Sequence, residues 1–87
     1  MAATVCERVR TIIAEQADLR LDQVLVTSSL SGVGLDSLDV VEVGMRLEDE
    51  YHIEIPTRDL PLFQKVSDVV IYLDRVLKDT EQVKEAL

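Results

Sequence analysis

The chain has 87 residues, which is enough for one domain and too short for two. Its 17 acidic residues outnumber the 9 basic ones, and the formal net charge of −8 argues against binding a nucleic-acid backbone and favours basic protein partners. Because 47% of the residues are hydrophobic but only 3% aromatic, we expect a folded domain with a thin aliphatic core.

Cys6 is the single cysteine, which excludes an intrachain disulfide and a cysteine-based metal site. The sequence shows no signal peptide and no apolar run of transmembrane length. We therefore expect a monomer without stable membrane insertion. Its expected compartment is the cytoplasm, or an organelle matrix if a transit peptide was removed.

An apolar stripe predicts the first helix, from Thr4 to Gln16. The residues of this stripe recur at helical spacing: Val5, Val9, Ile12 and Ile13. Thr4, with Glu7 three residues later, predicts a capping box at the start of the helix.

The segment 17–35 is predicted to be a long ordered connection rather than a flexible linker. Loops of this length are often functional. Asp22–Leu25 is predicted to form one helical turn. We expect several apolar side chains of the connection to be pinned against the bundle, and the candidates are Leu19, Leu21, Val24, Val26, Leu30, Val33 and Leu35.

A second helix is predicted from Ser37 to about Tyr51, with Asp36 as its N-cap. The Asp36 carboxylate can accept from a backbone N–H of the first turn while Asp39 reaches back, which is a capping box with Asp in place of Glu. Ser37 then lies on the first turn, where its hydroxyl is exposed and open to modification. A phosphate attached there would be stabilised by the positive end of the helix dipole.

Two apolar stripes run along this predicted helix. The core stripe has Gly44 among its members and consists of Val40, Val43, Leu47 and Tyr51. The second stripe consists of Leu38, Val41 and Met45. Charged residues border the second stripe: Asp39, Glu42, Arg46 and Asp49. Such a stripe suits either a docking partner or packing against the long connection.

Thr57 is predicted to cap a short helix from Arg58 to about Phe63, which Pro61 keeps brief. Three apolar residues of this segment are expected to cover the open side of the bundle: Leu60, Leu62 and Phe63.

The last helix is predicted from Val66 to about Leu77, with residues 79–87 either extending it or fraying. No period-two strand pattern occurs. The predicted fold class is therefore all-α, a small bundle of three main helices plus one short helix, with a long ordered loop between helices one and two. Residues 1–87 are predicted to form a single domain.

Asp36-Ser37-Leu38, the acidic helix that follows and Ile53-Glu54-Ile55-Pro56 closely resemble the acyl carrier proteins, and the resemblance runs from about Thr4 to Leu77. In that family the serine of Asp-Ser-Leu carries 4'-phosphopantetheine from coenzyme A, and its thiol holds acyl groups as thioesters. The resemblance therefore implies that Ser37 is the attachment site. It also implies a carrier that serves other enzymes rather than an enzyme.

The resemblance implies two further sets of residues. Family members meet phosphopantetheinyl transferases and basic patches on acyl-loading, acyl-transfer and condensing enzymes. The matching positions are Asp36, Leu38, Asp39, Val41, Glu42, Met45, Glu48 and Asp49. The acyl chain is sheltered in an apolar space between helices, for which the candidates are Val40, Val43, Gly44, Leu47, Phe63 and Val69.

Two other kinds of site fail on the residues present. An EF-hand counted from Asp36 would need Gly at its sixth position and Glu at its twelfth, where Val41 and Leu47 stand. Ser37 has no neighbouring histidine in the sequence and no nucleophile elbow, which argues against intrinsic catalysis. No metal site is expected.

The chain departs from common fatty-acid carriers at Gly44, Arg46 and Pro61. These departures leave open a dedicated carrier of a polyketide or aminoacyl unit in a specialised pathway. An adaptor domain that is never loaded is a third and less favoured hypothesis.

Overall fold

The computed structural model describes residues 4–86, with side chains up to residue 78. Three α-helices and two short 3₁₀ helices follow one another along the chain: α1 (Val5–Ala17), the first 3₁₀ helix (Leu21–Gln23), α2 (Ser37–Tyr51), the second 3₁₀ helix (Thr57–Leu62) and α3 (Val66–Ala86). No strand longer than an isolated bridge occurs in this part of the chain. The predicted all-α bundle is therefore confirmed.

The core forms where α1 packs against both α2 and α3. Nine aliphatic side chains are almost completely buried, and they come from all three helices and the long connection: Val9, Ile12, Ile13, Val24, Val43, Leu47, Val66, Val69 and Leu73. Burial of one such side chain contributes about 1.5–3 kcal/mol, so these residues are the main source of stability.

Thr4 is the N-cap of α1 as predicted, because its hydroxyl accepts a hydrogen bond from the Glu7 N–H at 3.1 Å. The predicted capping box is only half formed, because the Glu7 carboxylate contacts the Thr4 hydroxyl rather than the Thr4 N–H. Cys6 is half-buried on this helix. None of the described helices contains a stretch long and apolar enough to cross a membrane. The α3 backbone is helical to Ala86. The side chains of the predicted tail, residues 79–87, lie outside the described part of the chain.

Backbone hydrogen bonds fix the long connection onto the chain that enters α3. The Leu30 N–H donates to the Gln64 carbonyl at 2.8 Å, and the Val66 N–H donates to the Ser28 carbonyl at 3.0 Å. From α1, Arg10 donates to the Val24 carbonyl at 2.7 Å. The connection is therefore ordered, as predicted.

The details of this connection differ from the sequence prediction. Its helical turn lies at Leu21–Gln23, one residue before the predicted start. Leu30 and Leu35 are buried as expected, whereas Leu21 and Val26 are exposed. Val26 is held in its orientation by the pairing with the α3 entry, in which its carbonyl accepts from the Ser67 N–H at 3.0 Å. Leu21 lies outside that pairing, in the 3₁₀ helix.

The second 3₁₀ helix begins at Thr57, so the prediction that Thr57 is an N-cap is wrong. The Asp59 N–H donates to the Pro56 carbonyl at 2.9 Å, which closes the first turn on Pro56 and gives it the cap position. Pro61 has no N–H to donate, and short 3₁₀ segments tolerate this better than a regular α-helix does.

Helix α2 begins with the predicted capping box. The Asp39 N–H donates to Asp36 Oδ1 at 2.9 Å, and the Asp36 N–H donates to Asp39 Oδ2 at 3.1 Å. These hydrogen bonds lower the pKa of the Asp39 carboxyl, together with a contact from Gln16. Backbone N–H groups at the start of a helix have no partner within the helix, and this capping box pairs two of them.

We predict that Asp36→Ala lowers the free energy of unfolding by about 1 kcal/mol, because the side chain that caps α2 is lost. Ser37→Ala is the matched control, since it removes the adjacent hydroxyl and keeps the cap. Urea unfolding followed by circular dichroism measures both. Equal losses in the two variants would show that the cap is not the stabilising feature.

Candidate functional site

Ser37 is the first residue of α2 and its side chain is exposed. It follows directly on the cap residue Asp36, so the helix start holds the Ser37 backbone in place while the hydroxyl faces solvent. A serine in this position is accessible to a modifying enzyme, and the helix dipole favours an anion attached there.

A partly polar groove of about 340 Å³ lies on one side of Ser37. Besides Asp36 and Ser37 at the start of α2, its polar side chains come from the long connection and the α3 entry: Ser29, Ser31, Gln64 and Lys65. Its apolar walls are Leu30, Leu35, Val40 and Phe63. This groove suits a flexible group that carries amides, hydroxyls or a phosphate.

An apolar groove of about 410 Å³ also borders Ser37. It is lined by Val40, Val41, Thr57, Leu60, Pro61 and Phe63. Val40 and Phe63 belong to both grooves, so the Ser37 hydroxyl lies where a polar and an apolar groove meet.

Five of the six predicted shelter residues separate into two groups in the structure, and the sixth, Gly44, is buried on α2 against Leu60. Val40 and Phe63 line the grooves, whereas Val43, Leu47 and Val69 are fully buried in the packed core. Helical spacing places Val40, Val43, Leu47 and Val69 on inward faces, and it does not distinguish a groove wall from a core side chain. Leu60 and Pro61 were missed as groove residues because the short helix that carries them has no clear period.

The second 3₁₀ helix, which forms one wall of the apolar groove, is tied to α3. The Tyr72 hydroxyl donates to Asp59 Oδ2 at 2.6 Å, and the Phe63 and Tyr72 rings meet edge to face with centroids 5.1 Å apart. Leu60 and Phe63 cover this side of the bundle as predicted, whereas Leu62 is 60% exposed.

The second apolar stripe of α2 is open to solvent. Leu38 is 65% exposed, Met45 is 59% exposed and Val41 is 37% exposed. Of the two interpretations of this stripe, packing against the long connection is therefore excluded. The stripe is a free surface beside Ser37.

Several acids around this stripe are already hydrogen-bonded within the chain. From α1, Gln16 donates to Asp39 at 3.1 Å and to Glu42 at 3.0 Å. Glu48 accepts from the Ile55 N–H at 2.8 Å. Asp49 is exposed and makes no hydrogen bond or ion pair within the part of the chain that the structure describes.

Two ion pairs join α1 and α2. Arg8 makes a two-point contact with Glu50, at 2.5 and 2.6 Å, which holds the pKa of the Glu50 carboxyl below its usual value. Arg46 pairs with Glu15 on α1. The charge of Arg46 is therefore partly neutralised by α1 rather than left alone on the exposed stripe. Among the described residues, no cluster of three or more His, Cys, Asp or Glu side chains is placed to hold a metal ion.

Comparison with known proteins assigns this arrangement to a family. A family model described as "Phosphopantetheine attachment site" matches residues 7–73. An acyl carrier protein of Campylobacter jejuni subsp. doylei is 41% identical over 71 residues, covering 80% of this chain and 92% of the relative. An acyl carrier protein of Akkermansia muciniphila is 38% identical over 71 residues, covering 80% and 89% respectively. The chain belongs to the phosphopantetheine-binding acyl carrier family.

This membership confirms the expected activity: the chain is a carrier of acyl groups and not an enzyme. Its cofactor is 4'-phosphopantetheine, held covalently. The site fits that group, since an exposed serine at a helix start lies between a groove with polar side chains and an apolar one. The dedicated aminoacyl or polyketide carrier and the unloaded adaptor are not favoured by these relatives.

We predict that the Tyr72–Asp59 contact makes stability fall at high pH. Burial first, and then the hydrogen bond to Asp59, raise the pKa of Tyr72 from 10.0 to about 12. Because the folded chain holds this proton more tightly than the unfolded chain, the contribution is complete below about pH 10 and is lost as the pH rises to about 12. Tyr72→Phe has no proton to lose there.

Urea unfolding of both proteins at about pH 8 and about pH 11 tests this expectation. The wild-type chain should lose more stability than Tyr72→Phe over that pH interval. Lysines and Tyr51 titrate in both proteins, so their contribution drops out when the two losses are compared. An identical loss in the two proteins would show that the hydroxyl does not couple to folding.

Proposed function

We propose that Ser37 is the residue that carries 4'-phosphopantetheine, and that the chain carries fatty acyl groups on it. The observation that supports this proposal best is the position of Ser37, exposed at the start of α2 where the two grooves meet. Loading is performed by a phosphopantetheinyl transferase. The Ser37 oxygen forms an ester bond to phosphorus, the pyrophosphate bond of coenzyme A breaks, adenosine 3',5'-bisphosphate leaves, and the hydroxyl proton passes to the transferase.

When bound, the group supplies a thiol that holds the acyl chain as a thioester. The residues of this chain have a different task, which is to orient and shelter. Ser29, Ser31, Gln64 and Lys65 offer hydrogen-bonding and charged atoms on the polar side of Ser37. Val40, Leu60 and Phe63 offer an apolar wall on the other side, where hydrocarbon leaves water.

The apolar groove is the reason for proposing a fatty acyl cargo over an aminoacyl one. A hydrocarbon chain gains about 0.8 kcal/mol for each methylene that it buries, whereas an ammonium group gains nothing from such a surface. The departures noted in the sequence agree with a carrier role. Arg46 pairs with Glu15, and Gly44 lies against Leu60. Neither residue disturbs the surroundings of Ser37.

The proposed docking surface for partner enzymes consists of the exposed stripe Leu38, Val41 and Met45 with the neighbouring acid Asp49. The four other acids of the predicted set already accept hydrogen bonds from within the chain, namely Asp36, Asp39, Glu42 and Glu48. Each carboxylate has further lone pairs that can accept from basic groups of a partner. We propose that acyl-transfer and condensing enzymes dock here through basic patches, and that this takes place in the cytoplasm.

Loading is tested by intact mass after incubation with coenzyme A and a broad-specificity phosphopantetheinyl transferase. We expect the wild-type chain to gain one phosphopantetheine and Ser37→Ala to gain none. The Asp36→Ala variant is a useful companion, since it keeps the hydroxyl and loses the cap. A gain in Ser37→Ala, or no gain in the folded wild-type chain, would contradict the assignment of Ser37.

The docking surface is tested by reversing the charge of Asp49. Asp49→Lys changes the charge by two units, which at about 10 Å from a partner cation in water amounts to roughly 0.8 kcal/mol, or about fourfold in encounter rate. We expect this slowing at low salt. It should fall below about twofold at physiological salt, where the Debye length is about 8 Å.

The matched control is Asp74→Lys, an equal change of charge on an exposed residue of α3. Phosphopantetheinyl transfer to both variants, followed across a salt series, gives the comparison. Equal slowing in both would show that net charge, and not the α2 surface, governs the encounter. Slowing that does not depend on salt would point to a packing contact instead.

A further inference from the structure

The side chain of Leu60 is one wall of the apolar groove beside Ser37. Beyond Leu60 lies a second and smaller space of about 80 Å³, which is lined by Val41, Gly44, Met45, Glu48, Ile55, Thr57 and Leu60. Val41, Thr57 and Leu60 border both spaces. Leu60 is therefore part of the partition between them.

Gly44 allows Leu60 to lie this close to α2. A Cβ built on Gly44 would come within 3.1 Å of Leu60 Cδ2, closer than an ordinary van der Waals contact. Glycine inside a helix costs stability relative to alanine, so a glycine here needs a packing reason. The close approach of Leu60 is that reason.

Leu60 is also held in place along its own segment. The preceding residue, Asp59, is bonded to Tyr72, and Phe63 is buried against the same ring. The Phe63 N–H donates to the Leu60 carbonyl at 3.0 Å. The partition is thus supported from α2 by Gly44 and from α3 by Tyr72.

We propose that Leu60, seated on Gly44, sets the length of acyl chain that this carrier can shelter. The inference rests on the proposed function, in which a cargo attached through Ser37 enters the apolar groove. A chain that extends along Val40 and Phe63 meets Leu60 before it reaches the smaller space near Ile55. Carbons beyond that point stay in water and add no stabilisation.

The test uses the full chain loaded from a series of saturated acyl-coenzyme A thioesters of increasing length, with loading verified by intact mass. The melting temperature is measured for each length. In the wild-type chain it should rise with length and then reach a plateau. In Leu60→Ala the plateau should move to chains about three carbons longer, since the substitution removes three carbons and joins the two spaces.

Three further variants make the comparison specific. Leu62→Ala removes the same atoms from an exposed side chain of the same 3₁₀ helix, and its plateau should stay at the wild-type length. Gly44→Ala should move the plateau to shorter chains, because the added methyl pushes Leu60 towards the groove. Leu60→Val is the milder substitution if Leu60→Ala does not fold, and it should give a smaller shift in the same direction.

The outcomes separate this inference from the function beneath it. A chain that is not loaded overturns the assignment of Ser37, and the inference falls with it. If the chain is loaded but its melting temperature does not depend on acyl length, the groove does not shelter the acyl chain, and the inference about Leu60 is wrong as well. A plateau that stays at the wild-type length in Leu60→Ala and Leu60→Val overturns the role of Leu60 alone.

Discussion

The rest of the site depends on the reciprocal hydrogen bonds between Asp36 and Asp39 that fix where α2 begins. Each residue of an α-helix advances by about 100° around the axis, so the residues that follow the cap are distributed over different faces of α2. With the start at Ser37, the hydroxyl is exposed, Val43 and Leu47 face the core, and Leu38 and Met45 face solvent. The cap therefore places the proposed attachment residue at the helix start, while the burial of Val43 and Leu47 determines which face of α2 is left exposed.

The acidic residues of α2 have two roles, contact with α1 and exposure to solvent, which the net charge of the helix does not distinguish. Glu50 is bound by Arg8 from α1, and Glu42 by Gln16, so part of the acidity joins these two helices. Exposed ion pairs contribute only about 0–1 kcal/mol, and their effect here is more to orient the helices than to stabilise them. The exposed stripe and the apolar groove lie on the part of α2 that does not contact α1.

Sequence reasoning predicted the features that depend on local chemistry and strong periodicity. Asp36 as the cap, Ser37 on the first turn and the extents of the main helices follow from capping rules and apolar spacing. It failed where placement depends on contacts distant in sequence. Val26 is exposed where the long connection pairs with the α3 entry. Leu60 became a groove wall through its contact with Gly44, which no pattern in a short 3₁₀ segment reveals.

Under the proposed function, the position of the apolar groove also resolves a conflict between sheltering an acyl cargo and remaining folded. An empty cavity of about 410 Å³ inside the core would cost on the order of 10 kcal/mol at about 24 cal/mol per Å³, which matches the entire stability of a typical small domain. A groove at the surface between α2 and the second 3₁₀ helix avoids that cost, since Val43, Leu47 and Val69 remain closely packed. Cargo can then enter and leave without unfolding the bundle, as a carrier that serves several enzymes requires.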